Sequence, residues 1–134
     1  MVSESACEQP PLRGDSPYDR CMEFRAVWFP RDYDAAVAFY RDMLGFEQVG
    51  GWDRGPDDKG VLLGAASGIV ELQKLPAGQA YVEPAGISLY IEVDDVDALH
   101  GRLGGAPPQD RPWGQRQLSV VDPDGVTVTF FSPL

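Results

Sequence analysis

Residues 112–134 read PWGQRQLSVVDPDGVTVTFFSPL, the strongest local signal in the chain. Gln117 to Val121 has the composition of a strand. Asp122-Pro123-Asp124-Gly125 is a turn: proline presets φ at its second position and glycine supplies backbone freedom. Val126 to Phe131 is a second strand, β-branched and aromatic throughout. With a two-residue period, Val126, Val128 and Phe130 face one way, and Thr127, Thr129 and Phe131 the other. The spacing predicts a terminal hairpin with one apolar face for a core and one mixed face for a ligand.

Working outward, the 134 residues suffice for one domain with a substantial core. The formal net charge of −10 argues against nucleic acid or an anionic membrane surface as partner. It suits a neutral or cationic ligand. No apolar run approaches the roughly 20 residues a membrane span needs. Residues 1–21 are rich in Pro, Ser and charge, with no apolar segment of the secretory kind, and predict a disordered tail. Cys7 and Cys21 are too few for a disulfide framework or a metal site, so a reduced, cytoplasmic setting is expected.

The expected domain is 22–134. Phe24 to Phe29 reads as a strand, with Arg25, Val27 and Phe29 on one face. Asp32 caps a helix from Tyr33 to Leu44, whose apolar stripe is Ala36, Val37, Tyr40, Met43 and Leu44. Strands follow at Phe46–Trp52, Val61–Ala65 and Ile69–Leu75. After a linker, Ile87 to Val93 alternates cleanly, and Asp94 or Asp95 caps a helix carrying Val96, Leu99 and Leu103. A Pro-rich loop leads to the final hairpin. The order is a strand, a helix and three strands, then the same series again: module one at 23–76, module two at 86–134. Asp32-Tyr33-Asp34-Ala35 and Asp95-Val96-Asp97-Ala98 open the two helices alike.

AFYRDMLGF (38–46), VELQ (70–73) and WGQRQLSVVDPDG (113–125), in this order of elements, resemble the vicinal oxygen chelate superfamily. That group includes glyoxalase I, extradiol dioxygenases, fosfomycin-resistance enzymes and the bleomycin- and mitomycin-binding resistance proteins. The resemblance implies an α+β fold in which two βαβββ modules form a curved mixed sheet cup, commonly completed as a homodimer. It also implies metal ligands on the cup face of four strands. By position these fall on Arg25, Glu71, Ser88 and Thr129, of which only Glu71 is a competent ligand. A catalytic Zn or Fe site generally needs about three His or carboxylate ligands. The sole histidine, His100, falls on the second helix. No metal, no cofactor and no catalytic residue are therefore expected.

Arg25 and Glu71 are expected to pair where the enzymes hold metal, because an unpaired charge on a half-buried sheet face is costly. Phe29, Trp52, Tyr90, Trp113 and Phe131 are expected to line an aromatic cleft; the alternative is core or interface packing. Glu92 shares a face with Tyr90 and would hold a cationic group or act as a base; the alternative is a solvated rim charge. Ser88 and Thr129 add hydroxyls to the same cup. Two functions fit these residues. One is non-catalytic binding of a small aromatic or cationic molecule, nearest the bleomycin- and mitomycin-binding proteins. The other is a small-molecule enzyme with an atypical or incomplete metal site around Glu71.

Overall fold

The structure, a computed structural model, describes residues 23–134. The tail expected at 1–21, with both cysteines, lies outside the described residues. The elements are β1 (Arg25–Trp28), α1 (Tyr33–Val37, continued by a π-helical stretch, Ala38–Met43), β2 (Glu47–Asp53), β3 (Lys59–Ala65) and β4 (Gly68–Gln73). The series then restarts as β5 (Ser88–Glu92), α2 (Val96–Leu103), β6 (Gln109–Arg111), β7 (Gln115–Val121) and β8 (Thr127–Pro133). Two mixed four-stranded sheets result, ordered β1-β4-β3-β2 and β5-β8-β7-β6. In each, the first strand runs parallel to the last and the remaining pairs are antiparallel. The two βαβββ halves share one topology.

Both helices begin where the capping residues require. The Asp32 carboxylate accepts from the Ala35 amide at 3.0 Å. Asp95 does the same for Asp97 and Ala98, at 3.0 and 3.1 Å. The first helix departs from expectation in its second half. It widens so that the Leu44 amide donates to the Phe39 carbonyl at 2.9 Å and the Phe46 amide to the Tyr40 carbonyl at 3.0 Å. The wider turn shifts the helical phase. Ala36, Val37, Tyr40 and Leu44 stay buried, while Met43 turns out to solvent at 46% exposure.

One core serves both halves. Ala36, Val37 and Tyr40 of α1 pack on Val61, Leu63, Val70 and Leu72 of the first sheet, and the cluster continues into Val96, Val128 and Phe130 of the second half. The terminal hairpin supplies its apolar face as expected: Val126, Val128 and Phe130 are at most 3% exposed. The opposite faces of both sheets look away from this core.

The DPDG turn ties the halves together. Tyr40 donates its hydroxyl to Asp122 Oδ2 at 2.7 Å, and Asp122 Oδ1 accepts from the amides of Asp124 and Val126 at 2.8 Å each. Asp124 Oδ1 in turn accepts from the Tyr81 hydroxyl at 2.7 Å, which pins the inter-module linker. Burial, then the Asp122 carboxylate, pushes the Tyr40 phenol far above its ordinary value. Desolvation and Asp124 push Tyr81 up to about 12. A phenol raised in the fold adds stability that is whole below its unfolded pKa, about 10, and is lost as pH climbs through the folded value. Stability should therefore fall between about pH 10 and 12, by up to about 1.4 kcal/mol per pH unit for the buried Tyr40 and by much less for Tyr81, which solvent screens. Denaturation curves across that range check this: Tyr40→Phe should flatten the slope, and an unchanged slope would contradict the assignment.

Candidate functional site

Strand alternation places Arg25, Ile69, Glu71 and Gln73 on the outer face of the first sheet, with Leu62 beside Glu71 across the β3–β4 pairing. Arg25 Nη1 donates to Glu71 Oε1 at 2.8 Å, and Gln73 Nε2 donates to Glu71 Oε2 at 2.5 Å. Arg25 Nε also pairs with Glu23. Glu71 is only 7% exposed, so this ion pair sits in the floor of the sheet. The two carboxylates, Glu71 first, raise the Arg25 guanidinium further above its ordinary value.

On the second sheet, cross-strand pairs Ser88–Thr127, Tyr90–Thr129 and Glu92–Phe131 make the outer face. Thr129 lies deeper than a ligand-facing residue should, at 2% exposure. Its hydroxyl is 2.8 Å from that of Ser119, its cross-strand neighbour, one donating and the other accepting.

The four positions that the family resemblance assigns to metal do not fit one. Both Glu71 oxygens are occupied, one of them by a guanidinium whose charge repels a divalent cation. Thr129 is spent on Ser119, and Ser88 is a neutral hydroxyl. Among the described residues, no group of three or more His, Cys, Asp or Glu is placed to hold a metal ion.

A cavity of about 520 Å³ opens where the start of β1 and the β3–β4 turn meet the free edge of β5. Phe24, Ala26, Ile69, Tyr90 and Phe131 give it an apolar and aromatic wall, and Ser88 and Glu92 supply the polar groups. Four of the ten candidates thus come together: Ser88, Tyr90, Glu92 and Phe131. Tyr90 is 62% exposed, which leaves its ring available.

The other candidates lie elsewhere. Arg25 and Glu71 form their own cluster, and Thr129 is buried beside Ser119. Trp52 lies flat over Gly60, where a Cβ would strike its ring, and donates Nε1 to Asp58 at 3.0 Å. Trp113 is 63% exposed and donates to Gln115 at 3.1 Å. Phe29, past the end of β1, is 36% exposed. Within one chain the five aromatics expected to line a single cleft do not share a cavity. Trp52 belongs to β2, the far edge of one sheet, and Trp113 to the β6–β7 turn at the far edge of the other. His100 stays on its helix, its Nε2 3.0 Å from the Gly105 carbonyl oxygen. The sequence does not single out Phe24, Ala26 and Ile69 as lining residues, because strand alternation gives a face but not which strand edges meet.

No helix of the described residues is long and apolar enough to cross a membrane. No curated protein matches the sequence. Among solved structures, TnmS3, an antibiotic binding protein from Streptomyces sp. CB03234, is 26% identical with a TM-score of 0.65, covering 84% of this chain and 96% of that one. TioX from Micromonospora sp. ML1 is 28% identical with a TM-score of 0.65, covering 84% and 99%. A lactoylglutathione lyase from Agrobacterium tumefaciens, at 22% identity and a TM-score of 0.61 over 83% and 92%, shares the fold. The profile of the Glyoxalase/Bleomycin resistance protein/Dioxygenase superfamily matches residues 24–130. With two βαβββ halves on one core and that match over most of its length, the chain belongs to the glyoxalase/bleomycin resistance protein/dioxygenase superfamily.

Proposed function

We propose that this protein binds and sequesters a small aromatic molecule, neutral or cationic, without transforming it. The observation that carries the reading is the Arg25–Glu71 ion pair, which stands where the enzymes of the family would place metal ligands. The cavity beside β5 supplies the complementary half: aromatic walls for a flat ligand and Glu92 for a positive group. The 26% identity to an antibiotic binding protein supports the same reading.

A homodimer completes the site in this proposal. The lead strands β1 and β5 are free edges, and Phe24, Val27, Ile87 and Tyr90 beside them are 76, 49, 55 and 62% exposed. A second copy would cover that apolar surface and set the Arg25 face of one chain against the Tyr90 face of the other. The sparse cysteine content supports a reduced cytoplasmic setting. One observation favours a second reading: Glu71 keeps a carboxylate at a ligand position, as an enzyme with an incomplete metal site would.

The test is isothermal titration calorimetry with bleomycin and with mitomycin C, followed by mass spectrometry of the recovered probe. Truncating a buried aromatic contact costs about 1.5–3 kcal/mol, so Tyr90→Ala and Phe131→Ala should each weaken binding by about 10- to 100-fold. An intact probe with weakened binding in both variants is the expected result. A chemically altered probe, or affinity that neither substitution changes, would contradict the proposal.

A further inference from the structure

The whole chain contains two lysines, Lys59 and Lys74, and the fold sets them side by side. Lys59 opens β3 and Lys74 follows β4, with the Lys74 amide donating to the Lys59 carbonyl at 2.8 Å. Arg31, in the loop before α1, brings a third cation to the same groove of about 400 Å³, which Tyr33 also lines. Lys59 Nζ is 5.5 Å from the Tyr33 ring and the Arg31 guanidinium 4.7 Å from the Tyr81 ring. These ring contacts fix the cations and leave N–H groups free to donate.

Arg25, Arg41, Arg54 and Arg116 each have a carboxylate within ion-pair distance, whereas Arg31, Lys59 and Lys74 have none among the described residues. Two carboxylates do line the groove. Asp32 is engaged in capping α1 through the Ala35 amide, and Asp34 sits in the first helical turn. The lining holds three cations against two carboxylates in a chain whose formal net charge is −10, and a third carboxylate, Asp124, stands behind Arg31, its Oδ1 accepting from the Arg31 amide at 3.1 Å and from Tyr81. Cations held together without a bridging carboxylate repel one another until an anion comes between them. No residue of this groove lines the cavity beside β5.

We infer that Arg31, Lys59 and Lys74 form a second binding site, for a small multiply charged anion bearing phosphate or carboxylate groups. Lysines recognise such groups as point charges and the arginine adds directed donors. The site is independent of the aromatic cavity, so it stands or falls apart from the sequestration reading.

The two lysines also provide the readout. Reductive methylation with ¹³C-formaldehyde keeps their charge and gives separate methyl resonances for Lys59, Lys74 and the N-terminal amine. The full chain is titrated at low ionic strength with inorganic pyrophosphate, then with citrate, and with chloride at matched ionic strength. Both lysine resonances should move along one saturable curve with pyrophosphate or citrate and stay still with chloride; the tighter anion names the head group. In unmethylated protein, calorimetry should show pyrophosphate or citrate binding weakened by about ten-fold in Lys59→Gln, at a half-buried position, and again in Arg31→Gln, at an exposed one. Shifts that grow without saturating, that chloride reproduces, or that never arise would overturn the site. So would calorimetric affinity equal to the parent's in both folded variants.

Discussion

Asp122→Ala is expected to destabilise the protein by about 3–5 kcal/mol. The Asp122 carboxylate is 4% exposed and accepts three hydrogen bonds: the Tyr40 hydroxyl at 2.7 Å and the Asp124 and Val126 amides at 2.8 Å. Alanine strands all three donors. The Tyr40 hydroxyl sits on a fully buried side chain with no route to water. Each stranded buried donor costs about 1–3 kcal/mol, with the Asp124 amide at the lower end because it is only part-buried. Tyr40→Phe removes one donor and leaves the carboxylate its two amides, so about 2 kcal/mol is expected there. Urea denaturation of both variants measures the difference. A loss below about 1 kcal/mol for Asp122→Ala would show that the turn does not hold the two halves together.

Arg25→Ala should cost about 2–3 kcal/mol, through what it leaves behind rather than what it removes. Glu71 would keep its charge in a nearly closed position with Gln73 as its remaining partner. The figure sits below that of a fully buried pair because the Arg25 side chain is 31% exposed and water screens part of the interaction. Replacing the carboxylate as well, in Arg25→Ala/Glu71→Gln, should recover at least half of the loss, since a neutral amide is far less costly to bury. A double variant as unstable as Arg25→Ala alone would mean that the arginine acts by packing and not by charge.

The repeat was legible because turn and cap residues mark its boundaries without help from tertiary contacts. Asp32, Asp95 and the DPDG turn each act over four or five residues, which is the range a sequence shows directly. The face assignments of β1, β4, β5 and β8 follow from the pleat for the same reason. β6 carries no strand signal of its own: Gln109, Asp110 and Arg111 are three polar residues flanked by prolines, made a strand only by pairing with Gln117, Arg116 and Gln115. The π-helical stretch was equally hidden, since a 3.6-residue stripe from Ala36 to Leu44 looks the same until one turn widens.

The site was less legible than the fold. Alternation put Arg25 and Glu71 on one face of one sheet, and they meet. It also put Thr129 on a ligand-facing surface, where the cross-strand Ser119 hydroxyl claims it instead. Trp52 lines a different groove, with Tyr33, Val37 and Arg41, where Asp58 accepts from its Nε1 and Gly60 leaves room for its ring. The lysine pair depends wholly on the β3–β4 register, which sets Gly60 opposite Gln73 and so the flanking Lys59 and Lys74 together. Residues 15 apart in sequence carry no local sign of that neighbourhood.

Elemental analysis with native mass spectrometry, on protein purified without chelators and equilibrated with Zn, Ni, Mn and Fe(II), tests most directly whether this cup has given up its metal. With a guanidinium on one Glu71 oxygen and an amide on the other, the expected spectrum shows the metal-free mass, and Glu71→Ala leaves it unchanged apart from the substitution. One divalent ion per chain, retained by the parent and lost in Glu71→Ala, would contradict that expectation and turn the protein back into a candidate metalloenzyme.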